Sequence, residues 1–231
     1  MKIFTFLICL ISFLSSFAQF GSCIEYGVIK DSDGYTNVRK DSSSKSEIIH
    51  ILKKNVVFEI IETPKTNDWV KIKLIDNQYG IGDINEPKNN KYGFIHKSRI
   101  IILNNLDIYK GNDVQFSITT EPFDPSCRIL TKHNGNGWLT HIDGRPVHGT
   151  DGNIPKNQIK SIKLSVEGKE IPIHNIFKND LFECRNQFDI IKVEDTYFVH
   201  QSNSDGAGYY EVLWIFNSEK LLQRIIWDYP C

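Results

Sequence analysis

After its first twenty or so residues the chain alternates apolar and polar side chains with period two almost throughout. This pattern constrains the fold more than any other feature of the sequence. In "WVKIKLI" (69–75), Val70, Ile72 and Leu74 fall on one face, and Trp69, Lys71 and Lys73 on the other. "SIKLSVEGKEIPI" (161–173) has the same alternation on either side of Glu167-Gly168-Lys169, which predicts a hairpin. "FDIIKVEDTYFVH" and "YYEVLWIFNSEKLLQRIIW" predict two more, turning at Glu194-Asp195 and at 217–219. Helical periodicity is nearly absent: 176–182 is one short candidate, and 43–52 is too short and too rich in serine to count. The expected class is therefore all-β. Within 210–216, Val212, Trp214 and Phe216 share one face, and Leu213 and Ile215 are apolar on the other. That strand is expected to be buried on both sides.

The division of the chain follows from a break near "LNNLD" (103–107), where an apolar strand end meets two asparagines. The 231 residues suffice for one large or two small domains. We expect two all-β modules, at 21–103 and 106–231. The second is expected to be a mainly antiparallel β-sandwich or another sheet-rich domain. A hydrophobic content of 40% with 24% charged residues is that of a chain that can bury a core. A formal net charge of −1 supplies no basic field for nucleic acid, so no nucleic-acid partner is expected.

The N-terminus "MKIFTFLICLISFLSSFAQ" has one lysine, an apolar run and then small residues, as secretory signal peptides do. The run is shorter than the about 20 residues that span a bilayer. Ser16-Phe17-Ala18 places cleavage after Ala18, which makes 1–18 the signal and the mature protein periplasmic or secreted. A second reading remains open. "FGSC" ending at Cys23 resembles a degenerate lipobox, which would anchor the chain to a membrane through a lipid on Cys23. Removal of the signal leaves Cys23, Cys127, Cys184 and Cys231, an even set in an oxidising compartment. Soluble export with disulfides fits that parity, and four cysteines allow three pairings.

The first module resembles a bacterial SH3 (SH3b) domain. The residues that carry the resemblance are Asn37-Val38-Arg39 before a serine-rich loop, the apolar run 56–61, Asp68-Trp69-Val70-Lys71-Ile72, and Tyr92-Gly93-Phe94-Ile95-His96. An insertion, "IDNQYGIGDINEPKNN" (75–90), departs from the family pattern and enlarges one loop. The resemblance implies an SH3-like barrel, with Val38, Ile51, Val57, Ile60, Val70, Ile72 and Ile95 as core candidates. It also implies binding without catalysis, to cell-wall peptide or glycan or to a protein partner in the envelope. Tyr35, Trp69, Tyr79 and Tyr92 are the candidates for a binding groove; the competing reading is that the aromatics cover the core.

Catalytic and metal motifs fail on context. "PSCRIL" around Cys127 lacks the surroundings of an NlpC/P60 peptidase nucleophile. "VHGTDG" (147–152) resembles the first half of an L,D-transpeptidase signature, whose second half is missing. His133, His141 and His148 have no short, fixed zinc spacing, and "DSDG" (31–34) lacks the later ligands of a calcium loop. No enzyme activity, cofactor or metal is expected. The turn-rich segment 141–155 carries Asp143 and Asp151, which suit a cation or a partner's arginine; the other reading is two successive turns.

The last feature is "SNSDGAGYYEVLWIF" (202–216). A phosphate loop needs a lysine and a helix after its glycines, and here two tyrosines and a strand follow. "SDGAGYY" is similar to the Ser-Gly-x-x-Tyr loop that bacterial lysozyme inhibitors insert into a lysozyme cleft. That resemblance implies an alternative function, inhibition of or immunity to a cell-wall hydrolase through 202–210. Its contacts would be Ser204, Asp205 and Tyr209, with Gly206 and Gly208 letting the backbone fit. In the competing reading the glycines only shape a turn. A binding tip must leave Ser204, Asp205 and Tyr209 exposed, whereas a plain turn folds them inward.

Overall fold

The structure is a computed structural model that describes residues 22–75, 81–83, 91–135 and 137–228, with only the backbone described for 81–83. It is all-β. The first segment supplies β1 (Tyr26–Ile29), β2 (Tyr35–Arg39), β3 (Ile48–Lys53), β4 (Phe58–Glu62), β5 (Trp69–Leu74), β6 (Ile81–Asp83), β7 (Lys91–His96) and β8 (Ile100–Ile102). The second supplies β9 (Val114–Pro122), β10 (Leu130–Lys132), β11 (Leu139–Ile142), β12 (Arg145–Pro146), β13 (Asn157–Val166) and β14 (Lys169–Glu170). It continues with β15 (Asp189–Val193), β16 (Thr196–Asn203), β17 (Tyr210–Phe216) and β18 (Leu221–Trp227).

The first segment folds mostly into one seven-stranded sheet in the order β3-β2-β7-β5-β4-β1-β8. Its edges do not pair with each other, so the barrel expected for 21–103 is not a closed ladder. One face of the sheet packs Val38, Leu52, Phe58, Ile60, Val70, Ile72 and Ile95 into a core. Ile51 is a correction: it is 50% exposed. The register shifts where Val38 faces His50 but Arg39 faces Ile48, leaving Ile49 as an extra residue. Leu52 therefore takes the core position, and Ile51, opposite Asn37, points outward.

The hairpins of the second segment form where turn chemistry predicts them. Glu167 and Gly168 are both left-handed, at φ 52° and 78°, and join β13 to β14. Glu194, at φ 52°, turns β15 into β16. The Asn217 side chain accepts hydrogen bonds from the amides of Glu219 and Lys220, which closes the turn between β17 and β18. The short helix considered at 176–182 is only a 3-10 turn at Asn175–Phe177.

The central layer is a five-stranded sheet, β15-β16-β17-β18-β6. On one face it packs Tyr197, Val199, Val212, Trp214 and Phe216 against Val114, Ile118, Leu164 and Val166 of β9 and β13. On the other face Phe198, Leu213, Ile215 and Ile225 meet Tyr26, Val28, Val57, Ile75 and Leu103 of the first segment. Every residue of β17 is buried. A fully buried Leu, Ile or Phe contributes about 1.5–3 kcal/mol, so this shared core ties the two segments into one body. The 75–90 insertion adds a second tie: β6 pairs in parallel with β18, Arg224 opposite Ile81 and Ile226 opposite Asp83. An insertion read as an enlarged loop thus supplies a strand to the other segment's sheet.

Candidate functional site

Alternation builds the first candidate site. In β2 the buried Thr36 and Val38 turn Tyr35, Asn37 and Arg39 to the opposite face. In β5 and β7, Trp69 stands opposite His96, with ring centroids 5.6 Å apart and planes at 87°, an edge-to-face pair. Between these strands lies a cleft of about 450 Å³, lined among others by Tyr35, Asn37, Arg39, Trp69 and His96. Polar contacts within the protein set its walls. Arg39 donates from Nη1 to the Ser46 carbonyl at 2.7 Å, Arg99 pairs with Asp31, and His96 Nδ1 lies 2.8 Å from Ser98 Oγ.

The structure thus brings together two of the four predicted groove aromatics, Tyr35 and Trp69. Tyr92 is 43% exposed but lies outside the cleft, with Lys71 Nζ 5.4 Å from its ring centroid. Tyr79 lies outside the described residues. Sequence reading missed Asn37, Arg39 and His96 as lining residues. Their signal was present, because each sits at an even spacing from Tyr35 or within the Trp69 cross-strand pair. An open, mainly polar cleft lined by two aromatic rings, by Arg39 and Arg99 and also by Asp31 and Asp33 suits sugar rings or an extended polar peptide.

The second candidate, the 202–210 loop, divides on the exposure criterion. Asp205, Gly206 and Ala207 are exposed, whereas Ser204 and Tyr209 are only half-exposed and Gly208 is buried. Ser204, at φ 56°, donates its hydroxyl to the Gly149 carbonyl at 3.0 Å. A Cβ on Gly208 would stand 3.0 Å from that carbonyl oxygen and 3.1 Å from Asp151 Oδ1. Gly208 is glycine because two loops meet at it. Gly149, at φ 105°, is held the same way: a Cβ there would collide with the Phe182 carbonyl. The 141–155 segment and the 202–210 loop, separate in sequence, therefore form one packed corner. Its cleft of about 330 Å³ is lined in part by Asp151, Lys156, Arg185 and Asp205. Asp143 is not free to serve there, because its carboxylate pairs with Arg128 and accepts the Ile129 amide at 2.8 Å.

Tyr209 folds back over a buried carboxylate. Its hydroxyl donates to Glu211 Oε1 at 2.7 Å. Glu211 also accepts from Ser22 Oγ at 2.6 Å and from the Cys23 amide at 3.1 Å, and its Oε2 lies 3.0 Å from His200 Nε2. Burial alone pushes the Glu211 carboxyl up, but these partners, His200 foremost, hold it below the usual carboxylate range. Burial and the neighbouring Glu211 push the Tyr209 hydroxyl up to about 12. The site fastens the N-terminal end of the described chain to β17. It is a clasp that holds Tyr209 down, while Asp205, Gly206 and Ala207 stay exposed.

The cysteines also differ from the parity argument. Cys23 is in a disulfide, while Cys127 and Cys184 are free thiols. Cys231, the fourth candidate, lies outside the described residues. Cys127 is exposed in a 3-10 turn. Cys184 sits 3.0 Å from the Tyr210 hydroxyl, and burial pushes its thiol up to about 12. Held on separate elements, these two sulfurs are not cross-linked.

Among known families and curated proteins, no family model and no curated sequence matches the chain.

Proposed function

We propose that this is an exported, non-catalytic binding protein of the cell envelope. In this reading the first segment holds cell-wall peptide or glycan, or an envelope protein, in the cleft between Tyr35 and Trp69. The observation that carries the proposal is the cleft itself. Two aromatic rings, an amide, two guanidinium groups and two carboxylates converge on the solvent side of a sheet whose other side is a packed core. The apolar N-terminus supports export, and a Cys23 sulfur already in a disulfide favours the unlipidated form. The inhibitor alternative keeps only Asp205 as a freely exposed contact, so we place binding at the cleft.

Purified peptidoglycan should retain the protein on sedimentation. The Tyr35→Ala/Arg39→Ala double variant should lose most of that retention with its melting temperature little changed. Removing one exposed aromatic contact costs about 0.5–1.5 kcal/mol, and a charged hydrogen bond about 1.5–3 kcal/mol. Folded protein that stays in the supernatant, or a double variant that binds as well as the parent, would overturn the assignment. Digesting the wall to its peptide or glycan components before competition separates the two ligand classes.

A further inference from the structure

We propose that β3 pairs antiparallel with the β3 of a second copy of this chain, joining two molecules through one continuous sheet. This inference is independent of what occupies the cleft. β3 is an outer strand of the seven-stranded sheet. It reads Ile48-Ile49-His50-Ile51-Leu52-Lys53, with Ile48 47%, Ile49 41% and Ile51 50% exposed. Edge strands usually avoid association by being short or by carrying proline and charge. Here three of the six residues are isoleucine, of high β-propensity, none is proline, and the only charged side chain is at the last position. The ladder to β2 runs from Lys40 N–Glu47 O to Lys54 N–Gly34 O. Alternate amides and carbonyls along β3 consequently face away from β2. The apolar strip continues onto β2, where Tyr35 is 49% exposed beside Lys53.

Charge identifies the occupant and its direction. Glu47 stands at the head of the strand, and Lys53 and Lys54 at its tail. Antiparallel self-pairing brings each head to the other tail, so opposite charges meet twice by symmetry. Parallel pairing would set like beside like. Lys53 has no ion pair among the described residues, and Glu47 has one long, exposed contact, 3.8 Å to Lys40. Lys54 already pairs with Glu194, which leaves Lys53 as the residue that answers Glu47. A two-fold axis through such a ribbon runs perpendicular to the sheet. Both Tyr35–Trp69 clefts would therefore open on the same side, an arrangement that gains avidity on a repeating polymer.

Sedimentation velocity on the purified chain, without ligand and over a wide concentration range, tests this. The wild type should dimerise. Ile51→Lys should be monomeric with unchanged circular dichroism and melting temperature, since the residue makes no core contact. Lys53→Glu should weaken the dimer by roughly tenfold, as two symmetry-related charge pairs are lost and become repulsive. The swap Glu47→Lys/Lys53→Glu should restore it, which a change in folding alone would not do. A wild type that is monomeric at every concentration, a dimer that survives Ile51→Lys, or a swap that fails to recover overturns the proposal.

Discussion

Replacing Arg224 by alanine should reduce the stability of the protein by about 3–5 kcal/mol, the range for breaking a buried ion pair from one side. Arg224 is fully buried. Its guanidinium meets Asp180 through two hydrogen bonds, 2.6 and 2.9 Å, and donates to the Phe177 carbonyl at 2.9 Å. Arg145 adds a bond to Asp180 Oδ2 at 2.6 Å. Without Arg224, Asp180 keeps only Arg145 as a charged hydrogen-bond donor. Total stabilities of about 5–15 kcal/mol are typical, so the variant should melt far below the parent or fail to fold. Urea unfolding measures the difference, and a loss under about 1 kcal/mol would falsify the account. Replacing both members together, Arg224→Met with Asp180→Leu, should cost less than Arg224→Ala, with the remaining cost set by Arg145, which loses its carboxylate.

The same carboxylate sets a pH dependence. Burial alone pushes the Asp180 carboxyl up, but the Arg224 hydrogen bonds and the charges of Arg224 and Arg145 hold it below its ordinary value. Glu211 is depressed in the same net direction. A carboxyl lowered by folding contributes stability that is fully present above its unfolded value, about 4 for Asp or Glu. That stability is lost as the pH falls through the folded value. The melting temperature should therefore hold near neutrality and fall below about pH 4, and the Arg224→Met/Asp180→Leu variant should fall less steeply.

The second large effect is expected at the junction of the two sheets. Phe198, on β16 beside Ile215 of β17, is fully buried against the first segment. Phe198→Ala should cost about 3–5 kcal/mol, the transfer loss plus the cavity left behind. It should do so for the whole molecule at once. The chain has four tryptophans, so fluorine-labelled tryptophan, in which Trp69 gives its own NMR signal, reports on the first segment, and far-UV circular dichroism is dominated by all the strands together. Both probes should move in one coincident transition, before and after the substitution. Two separated transitions, with Trp69 unaffected by Phe198→Ala, would show that the segments fold independently.

What could be read from the sequence was local. Turns at 167–168, 194–195 and 217–219 carry their own chemistry, and the strands between them carry their own alternation. The double burial of β17 was legible because both of its faces are apolar. The misses are non-local. Ile51 looks like a core residue until the extra residue at Ile49 shifts the register, and only the partner strand β2 shows that shift. Nothing in Ile81-Gly82-Asp83 points to β18, more than a hundred residues later, because parallel pairing leaves no turn between its partners. The half of the site that was legible, Tyr35 and Trp69, was expected from the SH3b resemblance, and both line the cleft. The cleft beside Asp205 was not, since it forms only where Gly149 and Gly208 touch. Nothing near Glu211 in sequence announces two of its donors, Ser22 and the Cys23 amide, which come from the far end of the chain.

The strand that 81–83 places beside β18 also bears on how the protein can be handled. Domains with a core of their own are ordinarily portable: cut at their ends, they keep their shape in a new setting. Here no single cut frees either half. Cleavage near residue 105 would strip β18 of a neighbour and bare Leu213, Ile215 and Ile225 on one piece and Val28, Val57 and Leu103 on the other. The two halves, made as separate chains, should be poorly soluble alone and should reassemble when mixed.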